Sequence, residues 1–166
     1  MAEALFAHRL SELGLPATVR SAGMLPGGAP PPSEVITTMA GYGLNVSSHR
    51  SQTMTPEILQ DADLILAMAR ESLRHAVVTA PQIWPRAFTL RELARRGEAI
   101  GPRSPGESLA DWLARAHEGR ERAALLGDSP DDDVADPVGG PQHAYTETAA
   151  ILSDLLDQLV YLCWPD

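Results

Sequence analysis

Lysine is absent from this 166-residue sequence; all thirteen basic residues are arginine, and against twenty-two acids they leave a formal charge of −9. A chain this acidic lacks the basic patch that neutralises phosphates, so a non-specific nucleic-acid binder is excluded. Cysteine is nearly absent too. The single thiol, Cys163, forbids an internal disulfide and any multi-cysteine metal site. The histidines (His8, His49, His75, His117 and His143) show no ligand-like spacing, so no structural metal and no cofactor are expected. No apolar run approaches the ~18–20 residues that a membrane span needs. The start of the chain, MAEALFAHRL, lacks the basic opening and apolar stretch of a signal peptide, which points to the cytoplasm. Arginine in place of lysine, with abundant Ala, Gly and Pro, suggests a GC-rich, bacterial coding sequence.

What is present suits one folded domain over residues 1–166. A 44% hydrophobic and 21% charged composition is ordinary for a globular chain long enough to bury one core. Leu5, Phe6, Leu10 and Leu13 share a helical face over Ala2–Leu13, closed by Gly14. Thr18–Ser21 reads as a short strand, and Gly23–Pro32 as a Pro/Gly loop. Ser33 is placed to cap a helix over Glu34–Tyr42 that turns Val35, Ile36, Met39 and Ala40 inward. Thr55-Pro56-Glu57 is a helix start: a capping hydroxyl, a first-turn proline and an early acid.

The apolar run Asp63–Met68 suits a strand buried on both faces of a parallel sheet. Helix is expected from Arg70 to Val78, strand over Arg86–Thr89, helix over Leu90–Arg95 and again over Ser108–Leu125. Gly127–Pro141 is an acidic loop. A final stripe of Thr148, Ile151, Leu152, Leu155, Leu156, Leu159, Val160 and Cys163 has helical spacing. Alternating strands and helices predict an α/β fold: a three-layer sandwich with a small, mostly parallel sheet flanked by helices.

Four patches in this order carry a resemblance. They are Met1-Ala2-Glu3-Ala4; Ser21-Ala22-Gly23; Ser48-His49-Arg50-Ser51-Gln52 with Thr55-Pro56-Glu57 and Asp63–Met68; and Val134-Ala135-Asp136-Pro137 ahead of a Gly-Gly pair and a long helix. Together they resemble the bacterial low-molecular-weight protein-tyrosine phosphatases across nearly the whole chain, with 95–131 fitting least well. In that family a Cys-x5-Arg-Ser/Thr-Pro phosphate loop directly precedes the residues matching Met1–Ala4. Neither that nucleophilic cysteine, nor its arginine, nor the central first strand is in this sequence. The resemblance therefore implies a phosphomonoester hydrolase acting on a phosphorylated protein or a small phosphoester. As written, the chain is expected to be N-terminally truncated and inactive.

The chemistry needs a thiolate, an arginine fork for the phosphoryl oxygens, and an acid to protonate the leaving oxygen. The resemblance assigns the acid role to Asp136, while Asp131–Asp133, in a stretch of acids from Asp128, read as a solvated run. Ser21 and His49 correspond to residues that support the phosphate loop; alternatively they are a strand end and an ordinary loop histidine. Val138 stands where the family often has a tyrosine that stacks on an aromatic substrate. Cys163, on an apolar helical stripe, reads as a buried structural thiol, and Trp84, Trp112 and Trp164 as packing residues. Two other functions remain open: a non-catalytic phosphatase-like binding protein, or a thiol-dependent arsenate reductase of the same fold.

Overall fold

The computed structural model describes residues 1–127 and 129–165. Asp128, one of the clustered acids, lies outside the described residues. The fold is α/β, helix-rich with a small parallel sheet, and the chain divides into two compact units: 1–53 with 135–157, and 54–134 with 158–166.

In the first unit, α1 (Ala2–Glu12) buries Leu5, Phe6 and Leu10 on one face. The helix closes with Leu15 N–H on Leu10 O and Gly14 N–H on Ser11 O, which requires the positive φ of 66° that glycine tolerates at position 14. Leu13 falls at the C-cap and is 48% exposed, outside the predicted face. The helix α2 (Ser33–Gly41) begins one residue earlier than expected. Pro32 takes the cap position, and the Ser33 hydroxyl donates to Glu34 instead of capping. Its buried residues are Thr38 and Met39, whereas Ile36 and Ala40 face outward. Thr18–Ser21, read as a strand, joins no ladder; its residues lie largely in solvent, where water can satisfy the backbone.

In the second unit, Thr55 caps α3 (Pro56–Asp61) by accepting from Ile58 N, with Pro56 in the first turn. Next comes a crossover: β1 (Ile65–Ala67), α4 (Arg70–Thr79), a 3₁₀ turn over Pro81–Arg86, and β2 (Ala87–Thr89). The strands pair in parallel, Ile65 opposite Ala87 and Ala67 opposite Thr89. β2 is buried throughout. In β1, however, only Ala67 is, so the two-sided burial expected of the Asp63–Met68 run does not occur.

Thr89 then caps α5 (Leu90–Ile100), which outruns the predicted end at Arg95. The helix α6 (Leu109–His117), capped by Ser108, stops eight residues short of the predicted Leu125. Gly119, at φ 71°, turns the chain, and a 3₁₀ turn over Arg122–Leu125 follows. Leu73, Ala76, Ile83, Trp84, Ala87 and Leu125 form much of this unit's core. Trp112 is fully buried, and its indole N–H donates to Gly101 O at 3.0 Å.

The last helix, α7 (Gln142–Cys163), contributes 142–157 to the first unit and 158–163 to the second. Leu152, Leu156, Leu159, Val160 and Cys163 of its stripe are buried, while Ile151 is 38% exposed. Among the described residues no helix is long and apolar enough to cross a membrane.

Candidate functional site

The three positions singled out in the sequence, Ser21, His49 and Asp136, lie in the first unit. Its loops are held by a ladder of hydrogen bonds. Gly23 N donates to Gln52 O at 2.8 Å, Gly28 N to Ser51 O at 2.7 Å, and Ser51 N to Ala29 O at 2.9 Å. The Thr53 hydroxyl accepts from Gly27 N at 2.8 Å. Only glycine fits position 27, since an added Cβ would lie 2.9 Å from Ser51 O. These bonds fix the segment that follows Ser21 against the one that follows His49. His49 itself sits in a turn in which the Asn45 carboxamide oxygen accepts from Ser47 N, and His49 N donates to Val46 O.

A residue that the sequence reading left without a role joins the two. Glu3, in the first turn of α1, accepts a hydrogen bond from the Ser21 hydroxyl at Oε2. The same oxygen lies 3.9 Å from His49 Nδ1, an ion pair when that imidazole is protonated. All three side chains are reachable by solvent. Its sequence signal was present but local: a first-turn acid, commonplace at any helix N-terminus, within a patch that also matched the family.

Asp136 is exposed, and its Oδ1 accepts from Val138 N at 3.0 Å. That bond, with Gly140 N on Pro137 O at 2.8 Å, folds 136–140 into a turn ahead of α7. The turn is close-packed, because an added Cβ at Gly140 would lie 3.0 Å from Pro137 O. The Thr148 hydroxyl reaches Ala135 O at 3.5 Å, and Gln142 Nε2 donates to Thr38 Oγ1 at 2.7 Å. Among the described residues no hydrogen bond or ion pair joins Asp136 to Glu3, Ser21 or His49. Val138 is 70% exposed.

Of the acids just before Asp136, Asp131 is exposed as expected, but Asp132 and Asp133 overturn the expectation of a solvated run. Asp132 is 4% exposed. Its Oδ2 accepts from Arg70 Nε and Nη2 at 2.9 and 2.7 Å, and its Oδ1 from Arg95 Nη2 at 2.8 Å. Burial pushes the Asp132 carboxyl up, but the Arg95 and Arg70 guanidiniums outweigh it and hold it below the usual carboxylate range. Asp133 accepts from Arg70 N at 2.7 Å and from Ser129 N at 3.1 Å. The physical reason is tertiary: α4 and α5 bring two arginines to acids that look solvated in isolation.

Cys163 is fully buried, and burial pushes its thiol up to about 12, against a smaller opposing pull from Arg103. Near neutral pH it is a thiol, not the thiolate that nucleophilic catalysis uses. Among the described residues no group of three His, Cys, Asp or Glu is arranged to hold a metal.

Beside the Asp132 network, Arg120 is 1% exposed and spends all five donors: on Glu92 Oε1 and Oε2, Ala87 O, Trp84 O and His117 Nδ1. Its guanidinium lies 3.9 Å from the ring centroids of both Trp84 and Phe88. As an acceptor, His117 Nδ1 carries no proton, and burial followed by Arg120 and Arg96 lowers its pKa. Trp84 and Trp112 are buried, and Trp84 stacks on Arg120.

The sequence profile described as low molecular weight phosphotyrosine protein phosphatase matches residues 1–100. A protein-arginine-phosphatase from Bacillus subtilis (strain 168) is 30% identical, over 96% of this chain and 84% of its own. The crystal structure of a low molecular weight protein tyrosine phosphatase from T. tengcongensis superposes with a TM-score of 0.71 at 30% identity, covering 96% of this chain and 86% of its own. For a Bacillus subtilis low molecular weight protein tyrosine phosphatase, the solution structure gives 0.69 at 24% identity, covering 97% and 85%, a likeness of fold.

Proposed function

This chain belongs to the low molecular weight phosphotyrosine protein phosphatase family, and from that premise we propose that it serves hydrolysis of phosphate from a phosphorylated protein or a small phosphoester, with Asp136 as proton donor. The observation that carries the reading is the Asp136-Pro137 turn. Its carboxylate is held by Val138 N, open to solvent, and in the same compact unit as the Glu3–Ser21–His49 group. A leaving alkoxide, phenolate or amine needs a proton as the P–O or P–N bond breaks, and an exposed, oriented carboxylic acid supplies one. Ser21 and His49, tied through Glu3, support the phosphate-binding loop.

That loop must come from a Cys-x5-Arg segment, which these 166 residues do not contain. The buried Cys163 thiol is no substitute. The 166-residue chain alone is therefore inactive. The test assays aryl-phosphate hydrolysis by this chain and by a version joined at Met1 to a strand and a Cys-x5-Arg loop. Turnover is expected only from the joined protein. Turnover by the 166-residue chain that survives Cys163→Ser overturns the reading.

A second reading concerns the substrate. Val138 is exposed and follows the Asp-Pro pair, so no aromatic ring is offered there to a phosphotyrosine. This favours an aliphatic phosphoryl group, and with an arginine phosphatase among the relatives, phosphoarginine is the first to assay.

A further inference from the structure

Four residues before Asp136, an acid is buried where solvent would cost nothing. Asp132 has its side chain 6% exposed between two arginines of two helices, Arg70 at the start of α4 and Arg95 on α5. Burying such a pair seldom stabilises a fold more than well-packed apolar residues would, so geometry is the better explanation for it. The geometry is specific. Arg70 grips Asp132 with Nε and Nη2, while its own backbone N–H donates to Asp133 Oδ1. The Asp133 carboxylate thus caps the free amide end of α4 from outside the helix, since Ala69 at the cap position has no capping side chain. Asp132 N and Asp133 N both return to Ser129 O, and Val134 N donates to Met68 O at 2.7 Å, just past β1. One residue, Arg70, therefore holds two consecutive acids, and the chain is fixed up to Val134, two residues before Asp136.

We propose that Arg70, assisted by Arg95, is a positioning residue for the acid segment. By holding Asp132 and Asp133 it sets the point from which the chain runs on to the Asp136 turn. The proposal rests on reading Asp136 as the proton donor, but its first test does not.

That test is amide hydrogen exchange, followed residue by residue by NMR, on the full chain and its Arg70→Gln, Arg95→Gln and Asp132→Asn variants. Arg70→Gln is expected to speed exchange about tenfold at Val134 and at least threefold at Val138, whose N–H is held by Asp136, with α6 amides unchanged within twofold. Arg70→Lys, which keeps the charge, restores part of the protection, while the backbone N–H on Asp133 is the same in every variant. If Arg70→Gln and Asp132→Asn do not fold, Arg95→Gln removes the exposed half of the clamp and should give about threefold at Val134. Unchanged protection at Val134 and Val138 in a folded variant overturns the proposal, as does an equal rise across the whole chain.

The second readout uses the joined protein. Arg70→Gln should lower kcat on a poor leaving group about tenfold, with KM within twofold, and spare a good leaving group. If exchange responds but leaving-group dependence does not, the clamp stands and the role of Asp136 falls.

Discussion

The two units treat their charges in opposite ways. In the second, Arg120, Glu92, Arg70 and Asp132 are buried or half-buried, with Arg95 reaching in from an exposed position, and Arg120 has no donor left over. In the first, Glu3 and His49 keep 30% and 36% of their side-chain surface and meet at a loose 3.9 Å, and Asp136 is open to water. Saturated charges fix structure and have nothing to offer a substrate, whereas exposed, incompletely paired ones can still bind and transfer protons. The candidate residues Ser21, His49 and Asp136 all lie in this first unit, with loops tied by backbone hydrogen bonds.

The largest break in this contrast comes from Arg120→Ala. It leaves Glu92, 13% exposed, with Arg96 as its remaining partner and removes the Arg120 donors from the Ala87 and Trp84 carbonyls, which should cost about 3–5 kcal/mol in a urea unfolding experiment. A loss below about 1 kcal/mol would show that the cluster is not the anchor described.

Acid is the next lever. The lowered His117 pKa means that the unfolded chain binds its proton first, so that contribution is complete above about 6.5 and is lost as pH falls below it. The lowered Asp132 pKa contributes stability that is present above about 4 and is lost as pH falls through the still lower folded value. Urea midpoints should thus decline in two stages on acidification, and His117→Gln should remove the first. A flat midpoint between pH 7 and 5 would refute the His117 part.

The smallest stability effect belongs to the site. Glu3→Gln and Ser21→Ala remove partly exposed contacts worth under about 1 kcal/mol, so unfolding should hardly change. In the joined protein the same variants should still lower kcat. A stability loss as large as that of Arg120→Ala would make Glu3 an architectural residue after all.

Local chemistry made much of this legible in the sequence. The cap at Thr55, the turn at Gly14 and the helix–strand alternation each depend on neighbours within a few positions. The α6 boundary was missed because the helix was carried through Gly119, although 117–122 offers no apolar side chain to the face that Trp112, Leu113 and Ala116 form. Asp132 was misread because its partners lie 62 and 37 positions away, and without them a triple-acid stretch looks solvated. Glu3 was overlooked for a similar reason: Ser21 is 18 positions distant, and nothing in a first-turn glutamate announces it.

The most direct measurement of the central claim is the leaving-group dependence of hydrolysis by the joined protein with and without Asp136→Ala. If Asp136 delivers the proton, the variant loses about 10²–10⁴-fold on a poorly leaving alkyl phosphate or phosphoarginine and much less on a nitrophenyl ester, whose phenolate leaves unprotonated. Equal losses on both, or none on either, would contradict the assignment.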